Sequence, residues 1–127
     1  MEAKESRVHI LVDVPDMWNK MAESDLVISA AGSTMYELSA MGVPTVCCYY
    51  VENQRRIADG FAAQLGLCNA GDFSIDSDGV LKRIVAEVEH LTGDAALRST
   101  LSMRMKQVVD GRGAERIACK LGQCVKK

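Results

Sequence analysis

Two short segments hold the side chains best suited to meeting a ligand. Ser29-Ala-Ala-Gly-Ser-Thr34 runs from an apolar stretch straight into a helix-forming one. Gly32 permits close backbone approach, Ser33 and Thr34 offer hydroxyls, and the free N–H groups at a helix start attract anions. A diphosphate suits that combination. The segment contains neither GxGxxG nor GxxxxGK[ST], so it is not the standard dinucleotide or nucleoside-triphosphate signature. Thr34-Met-Tyr-Glu37 also matches the capping box S/T-x-x-E. Glu37 therefore either turns back to cap the helix or, one turn in from a phosphate, accepts bonds from ribose hydroxyls. In the second segment, Tyr49-Tyr-Val-Glu-Asn-Gln54, the amides of Asn53 and Gln54 both donate and accept, which suits sugar hydroxyls. Asn53 reads equally well as a helix N-cap.

The other reactive residue types read as structural. The five cysteines are odd in number and lack CxxC spacing, which points to neither a disulfide framework nor a zinc site and fits a reducing compartment. Cys47 and Cys48 are adjacent in an apolar run, where strand side chains alternate faces, so they read as small core residues. Cys68, Cys119 and Cys124 have no adjoining histidine or basic pair to lower a thiol pKa. Asp72, Asp76 and Asp78 lack the closing glutamate of a calcium loop and read as turn and cap residues. Arg55-Arg56 could meet a carboxylate or phosphate, but a solvated helix face is their ordinary role. His9 falls in an expected strand and His90 at the end of a polar helix. Trp18 and most methionines fall on apolar faces, as core or domain-contact residues.

Four strands and six helices are expected to position these groups. Val8–Val12, Asp25–Ser29, Pro44–Tyr49 and Leu67–Ala70 read as strands, the second continuously apolar as if covered on both faces. Helices are expected over 16–23 with Asp16 as cap, over 34–41 ending at Gly42, and over 53–65 ending at Gly66. Beyond residue 76 the pattern is helical only. Val80, Leu81, Ile84, Val85, Val88 and Leu91 make one stripe, and Leu97, Leu101, Met105 and Val108 a second. After the Gly111-Arg-Gly113 turn comes a third, through Ile117, Ala118, Leu121 and Val125. Strands alternating with helices imply a parallel sheet with right-handed crossovers. The expected fold is a Rossmann-like three-layer α/β domain with a helical carboxy terminus, one domain over residues 6–124.

Composition agrees with that size. The 127 residues are 48% hydrophobic and 25% charged, enough to bury a core. A net charge of −2 lacks the cationic excess that neutralises phosphate backbones, so no nucleic-acid partner is expected. The apolar runs fall short of the roughly 18 residues of a membrane span, and the charged amino end has no apolar signal segment behind it. A cytoplasmic protein is the expectation.

Asp25-Leu-Val-Ile-Ser-Ala-Ala-Gly-Ser-Thr-Met-Tyr-Glu-Leu-Ser-Ala-Met-Gly-Val-Pro44, followed nine residues later by Asn53-Gln54, resembles the carboxy-terminal nucleotide-binding domain of MurG-type GT-B glycosyltransferases. It resembles more closely the PseG-like UDP-sugar hydrolases of pseudaminic acid biosynthesis and related spore-coat polysaccharide proteins. Asp110-Gly-Arg-Gly-Ala-Glu-Arg-Ile117 is similar to the close of the hydrolase group, and the likeness covers roughly residues 8 to 120. The resemblance implies one half of a GT-B fold that holds UDP. Gly32, Ser33 and Thr34 would lie on the diphosphate, Glu37 on the ribose, and Asn53 and Gln54 toward the sugar. UDP-sugar would be the substrate, with no metal or cofactor. In the hydrolases a histidine in a Gly-His-x-x-Arg stretch of the amino-terminal domain activates the water, and neither His9 nor His90 matches that stretch. Catalysis would then need an amino-terminal catalytic domain or a partner chain, and this chain alone would be inactive. The resemblance also implies a terminal helix that crosses to that domain, leaving an apolar patch near Tyr49, Tyr50 and the last helix. The donor-binding half of a MurG-like transferase and a non-catalytic UDP-binding module are the alternatives. A receiver-like signalling domain fits worse: Asp13 and Asp16 supply only part of its acidic set, and the third expected strand ends in Tyr49-Tyr50.

Overall fold

Apolar runs separated by glycine and proline turns fold as alternating strand and helix in the computed structural model, which describes residues 7–125. The expected domain start at residue 6 lies outside the described residues. The elements are α1 (Met17–Ala22), β1 (Val27–Ala30), α2 (Thr34–Met41), β2 (Thr45–Tyr49), α3 (Glu52–Leu65), β3 (Asn69–Asp72), α4 (Ser77–Gly93), α5 (Ala95–Val108) and α6 (Gly113–Val125). The sheet runs β1-β2-β3, with both pairings parallel. Val27 stands opposite Thr45 and Ala30 opposite Cys48, and Tyr49 opposite Asp72 after an irregularity in β2–β3. Parallel neighbours need a returning helix, and right-handed crossovers put α2 and α3 on one face. Helix α4 packs on β3 and β2, and α5 packs against α2. The chain is α/β and Rossmann-like, with a helical carboxy terminus.

The core gathers on the central strand. Thr45 through Cys48 are buried on both faces of β2, so the adjacent cysteines are core residues pointing opposite ways. Met35 and Leu38 of α2, Phe61 and Leu65 of α3, Val80 and Ile84 of α4, and Leu101 and Met105 of α5 surround it. The buried hydroxyls of Ser39 and Thr45 are both satisfied: Ser39 donates across to the Met105 carbonyl of α5 at 3.0 Å, and Thr45 donates locally to that of Val43 at 2.8 Å. Gly42 ends α2 in the left-handed region at φ 70°, and a β-carbon there would stand within 2.9 Å of Ser102 and Lys106 side-chain atoms. Glycine at this C-cap thus serves both the turn and the close approach of α5.

Several expectations give way. Val8–Val12 forms no strand; Val8 and Ile10 are 73% and 87% exposed. A β-branched run becomes a strand only where a sheet edge and a covering layer receive it, and β1 is left as the edge. His9 is consequently exposed and outside any strand. For the same reason β1 is not covered on both faces: its burial alternates, with Ile28 54% exposed. Asp16 stands at the N-cap of α1 but its side chain makes no capping bond. Strand β3 begins two residues later than expected. Helix α4 buries Val80, Ile84 and Leu91 but leaves Leu81 and Val85 exposed, because one face of the sheet needs only one stripe. Met17, Trp18 and Met103 are exposed, whereas Met35 and Met105 are core. Tyr50, Ile117 and Leu121 are exposed, and every described side chain of α6 faces solvent.

The Asp110-Gly-Arg-Gly segment pins the start of α6. Both carboxylate oxygens of Asp110 accept from the Arg116 guanidinium, at 2.7 and 3.0 Å, and one also accepts the Arg112 N–H at 3.0 Å. The Arg116 hydrogen bonds chiefly, then that of the Arg112 N–H, lower the Asp110 pKa from 3.8 to about 2. A depressed folded pKa means the pairing is fully present above 3.8 and is lost as pH falls through about 2. The Asp110 carboxyl carbon shift, followed by NMR at low salt, is expected to titrate near 2. Arg116→Gln should return the midpoint toward the ordinary value, and added salt should narrow the difference, because the pair is exposed.

Candidate functional site

Because all strands are parallel, the carboxyl ends of β1, β2 and β3 lie along one edge, where α2 and α3 begin. Ligands of open parallel sheets bind at such an edge. The chain leaves β1 through buried Ala31, whose N–H donates to the Cys48 carbonyl at 2.8 Å, and Gly32, whose N–H donates to Ala30 at 2.8 Å. Ser33 then stands as N-cap of α2 in helical conformation and makes no side-chain capping bond. The N–H groups of Ser33 and Thr34 have no hydrogen-bond partner among the described residues. These unspent donors and the exposed Ser33 hydroxyl make an anion-receptive helix start.

The capping box does not form. With Ser33 as cap, Glu37 falls one position beyond the N3 site that a box requires, and its exposed carboxylate has no hydrogen-bond or ion-pair partner among the described residues. Asn53 is not a cap either: Val51, in extended conformation, precedes α3, and Asn53 sits inside the first turn. Its side-chain oxygen accepts the Gln54 N–H at 3.0 Å, which leaves the two amide N–H donors. Gln54 accepts the Tyr50 N–H at 3.0 Å through its own side-chain oxygen, fixing the loop after β2. That loop is tied to the one after β3, since the Phe73 N–H donates to Tyr49 at 2.8 Å and the Tyr50 and Phe73 rings lie 5.1 Å apart.

Between α2 and α3 opens a cavity of about 400 Å³ lined by Tyr36, Asn53, Arg56 and Ile57. A pocket of about 160 Å³ lies against the same Tyr36, Arg56 and Ile57 and reaches Phe61 and Val108. Of the residues expected to hold the nucleotide, only Asn53 lines the larger cavity; Gly32, Ser33, Thr34, Glu37 and Gln54 belong to the loop after β1 and the starts of α2 and α3. Tyr36 is not expected there from sequence, and Arg56 reads with Arg55 as a solvated helix face that could meet a phosphate. Their spacing carries a signal, since Tyr36 is three residues past Ser33 and Arg56 three past Asn53, one helical turn each. The two arginines differ sharply. Arg55 faces Glu52 at 3.8 Å and Asp59 at 3.5 Å, whereas Arg56 has no acidic partner among the described residues.

The thiols on and beside β2 are disfavoured as nucleophiles. Burial first, then the neighbouring Cys68 and Cys48, pushes the Cys47 pKa up to about 12, and burial raises those of Cys48 and Cys68 as well. Asp76 caps α4 by accepting the Gly79 N–H at 3.0 Å, and Asp72 accepts from Ser74 in a turn. Among the described residues no helix is long and apolar enough to cross a membrane.

Neither a family model nor a solved structure matches the chain. Among curated proteins it is similar to the spore coat polysaccharide biosynthesis protein SpsG of Bacillus subtilis. The two are 27% identical over 114 residues, which is 90% of this chain and 33% of that protein. It is also similar, at 30% identity over 63 residues, to an uncharacterized protein of Methanocaldococcus jannaschii, covering 50% of this chain and 13% of the other. The chain thus spans a third or less of the length of these curated relatives.

Proposed function

We propose that the carboxyl edge of this sheet holds the UDP portion of a nucleotide sugar. The chain would be the UDP-binding half of an enzyme that cleaves UDP from an activated amino sugar in nonulosonic-acid or surface-polysaccharide synthesis. The observation that carries this reading is the helix start at Ser33 and Thr34, whose N–H groups have no partner among the described residues, beside the exposed Glu37 carboxylate and the Asn53 and Gln54 amides. Similarity along most of the chain to a protein named for spore coat polysaccharide biosynthesis supports the pathway. In the reaction, water attacks the anomeric carbon and the bond to the diphosphate oxygen breaks, its electron pair leaving on UDP. The helix start and the Ser33 and Thr34 hydroxyls stabilise the negative charge gathering there. Glu37 accepts from the ribose hydroxyls, and the Asn53 and Gln54 amides face the sugar. The base that activates water belongs to a complementary amino-terminal domain or partner chain in the cytoplasm. A transferase half would use the same edge, with an acceptor hydroxyl replacing water. Calorimetric titration is expected to give saturable binding of UDP to this chain, while incubation with a UDP-sugar releases no UDP. Turnover by the chain alone would overturn the half-site reading; absence of heat at millimolar UDP would overturn the nucleotide reading.

A further inference from the structure

The edge residues offer a diphosphate hydroxyls and N–H groups but no formal positive charge, and Glu37 adds a negative one. A multiply charged leaving group needs a cation nearby, and one wall of the adjoining cavity supplies it. We propose that Arg56 is the cationic member of this site, its guanidinium holding a phosphate oxyanion of the ligand in the cavity between α2 and α3.

Three observations converge on this. The polar residues lining the cavity are Arg56, Asn53 and Tyr36, with Ile57 as the apolar member and no acidic residue among them. Because the Asn53 oxygen already accepts the Gln54 N–H, that side chain presents donors. Arg56 has no acidic partner among the described residues, whereas Arg55 beside it is engaged by Glu52 and Asp59. The Tyr36 ring is held edge-on against buried Phe61, with centroids 5.3 Å apart and planes at 68°, so the wall opposite Arg56 is fixed. A concave wall rich in donors and free of carboxylate selects an anion, and guanidinium pairs with phosphate through two parallel hydrogen bonds. The preference for an anion stands on the cavity alone; assigning that anion to a diphosphate rests on the proposed function.

The test titrates pyrophosphate, UDP and uridine into the parent chain, Arg56→Gln and, as a control, Arg55→Gln, reading affinities and the Arg56 side-chain Nε–Hε resonance by NMR. Pyrophosphate and UDP should each move that resonance. Arg56→Gln should weaken both by about tenfold or more while leaving uridine unchanged, and Arg55→Gln should leave all three within about twofold. UDP and pyrophosphate binding unaltered in Arg56→Gln overturns the role of Arg56 and leaves the nucleotide reading standing. Pyrophosphate binding that depends on Arg56, with no added affinity for UDP, upholds the anion site and overturns the nucleotide reading. Failure of both anions to bind overturns both.

Discussion

Replacing Ser33 by Asp is expected to weaken UDP binding by at least about tenfold while leaving the domain as stable as the parent. Ser33 is the N-cap of α2, exposed and without a capping bond, so its side chain costs the fold nothing when changed to another good capping residue. A carboxylate at a helix start even interacts favourably with the helix dipole. Against a phosphate about 4 Å away, however, it adds a repulsion of about 1–4 kcal/mol for each pair of unit charges at effective dielectric constants between water and a protein surface. Denaturant midpoints and UDP titrations on the same preparation check it. A midpoint held with affinity lost fits the account; affinity within twofold of the parent removes the diphosphate from this helix start.

Phe61→Ala carries the largest expected effect on stability, about 3–5 kcal/mol. The ring is buried between α3 and α2, 6% exposed, and meets Tyr36 edge-on. Its removal opens a cavity where the two crossover helices meet the core and takes away the support that orients Tyr36. Against the 5–15 kcal/mol typical of domains, such a loss moves the urea midpoint by a large fraction of its value. Phe61→Leu keeps most of the apolar volume but no aromatic edge, so it should lose roughly half as much and stay folded if the alanine variant does not. A loss below about 1 kcal/mol in Phe61→Ala would mean that α2 and α3 do not depend on this contact.

Much of the architecture is legible from residue order because local chemistry and tertiary demand agree there. Gly42 and Gly66 both end their helices in the left-handed region, the apolar run from Thr45 becomes the fully buried central strand, and the helical stripes after residue 76 become α4, α5 and α6. The failures share one cause: a local pattern is necessary but a partner decides. Val8–Val12 has strand chemistry, yet the three-stranded sheet is β1-β2-β3 and does not include it. Thr34 and Glu37 have capping-box spacing, but Ser33 takes the cap and shifts Glu37 out of reach. At the site, the loops at Gly32–Thr34 and Asn53–Gln54 could be named from residue type, whereas the cavity between their helices depends on how α2 and α3 pack. Arg55 and Arg56 show the distinction best. About 100° of helix rotation separates them. It turns Arg55 toward Glu52 and Asp59 at helical spacing and places Arg56 on the cavity that it shares with Tyr36 of α2, a juxtaposition across elements that residue order alone does not encode.

The central claim is that UDP sits on the carboxyl edge of the sheet, across the starts of α2 and α3. Amide chemical-shift mapping with UDP titrated into the labelled chain tests it most directly. The account predicts saturable shifts centred on Gly32, Ser33, Thr34 and Glu37 and on Asn53 and Gln54, with α5 and α6 unmoved. No shifts at millimolar UDP, or shifts centred away from both helix starts, would contradict it.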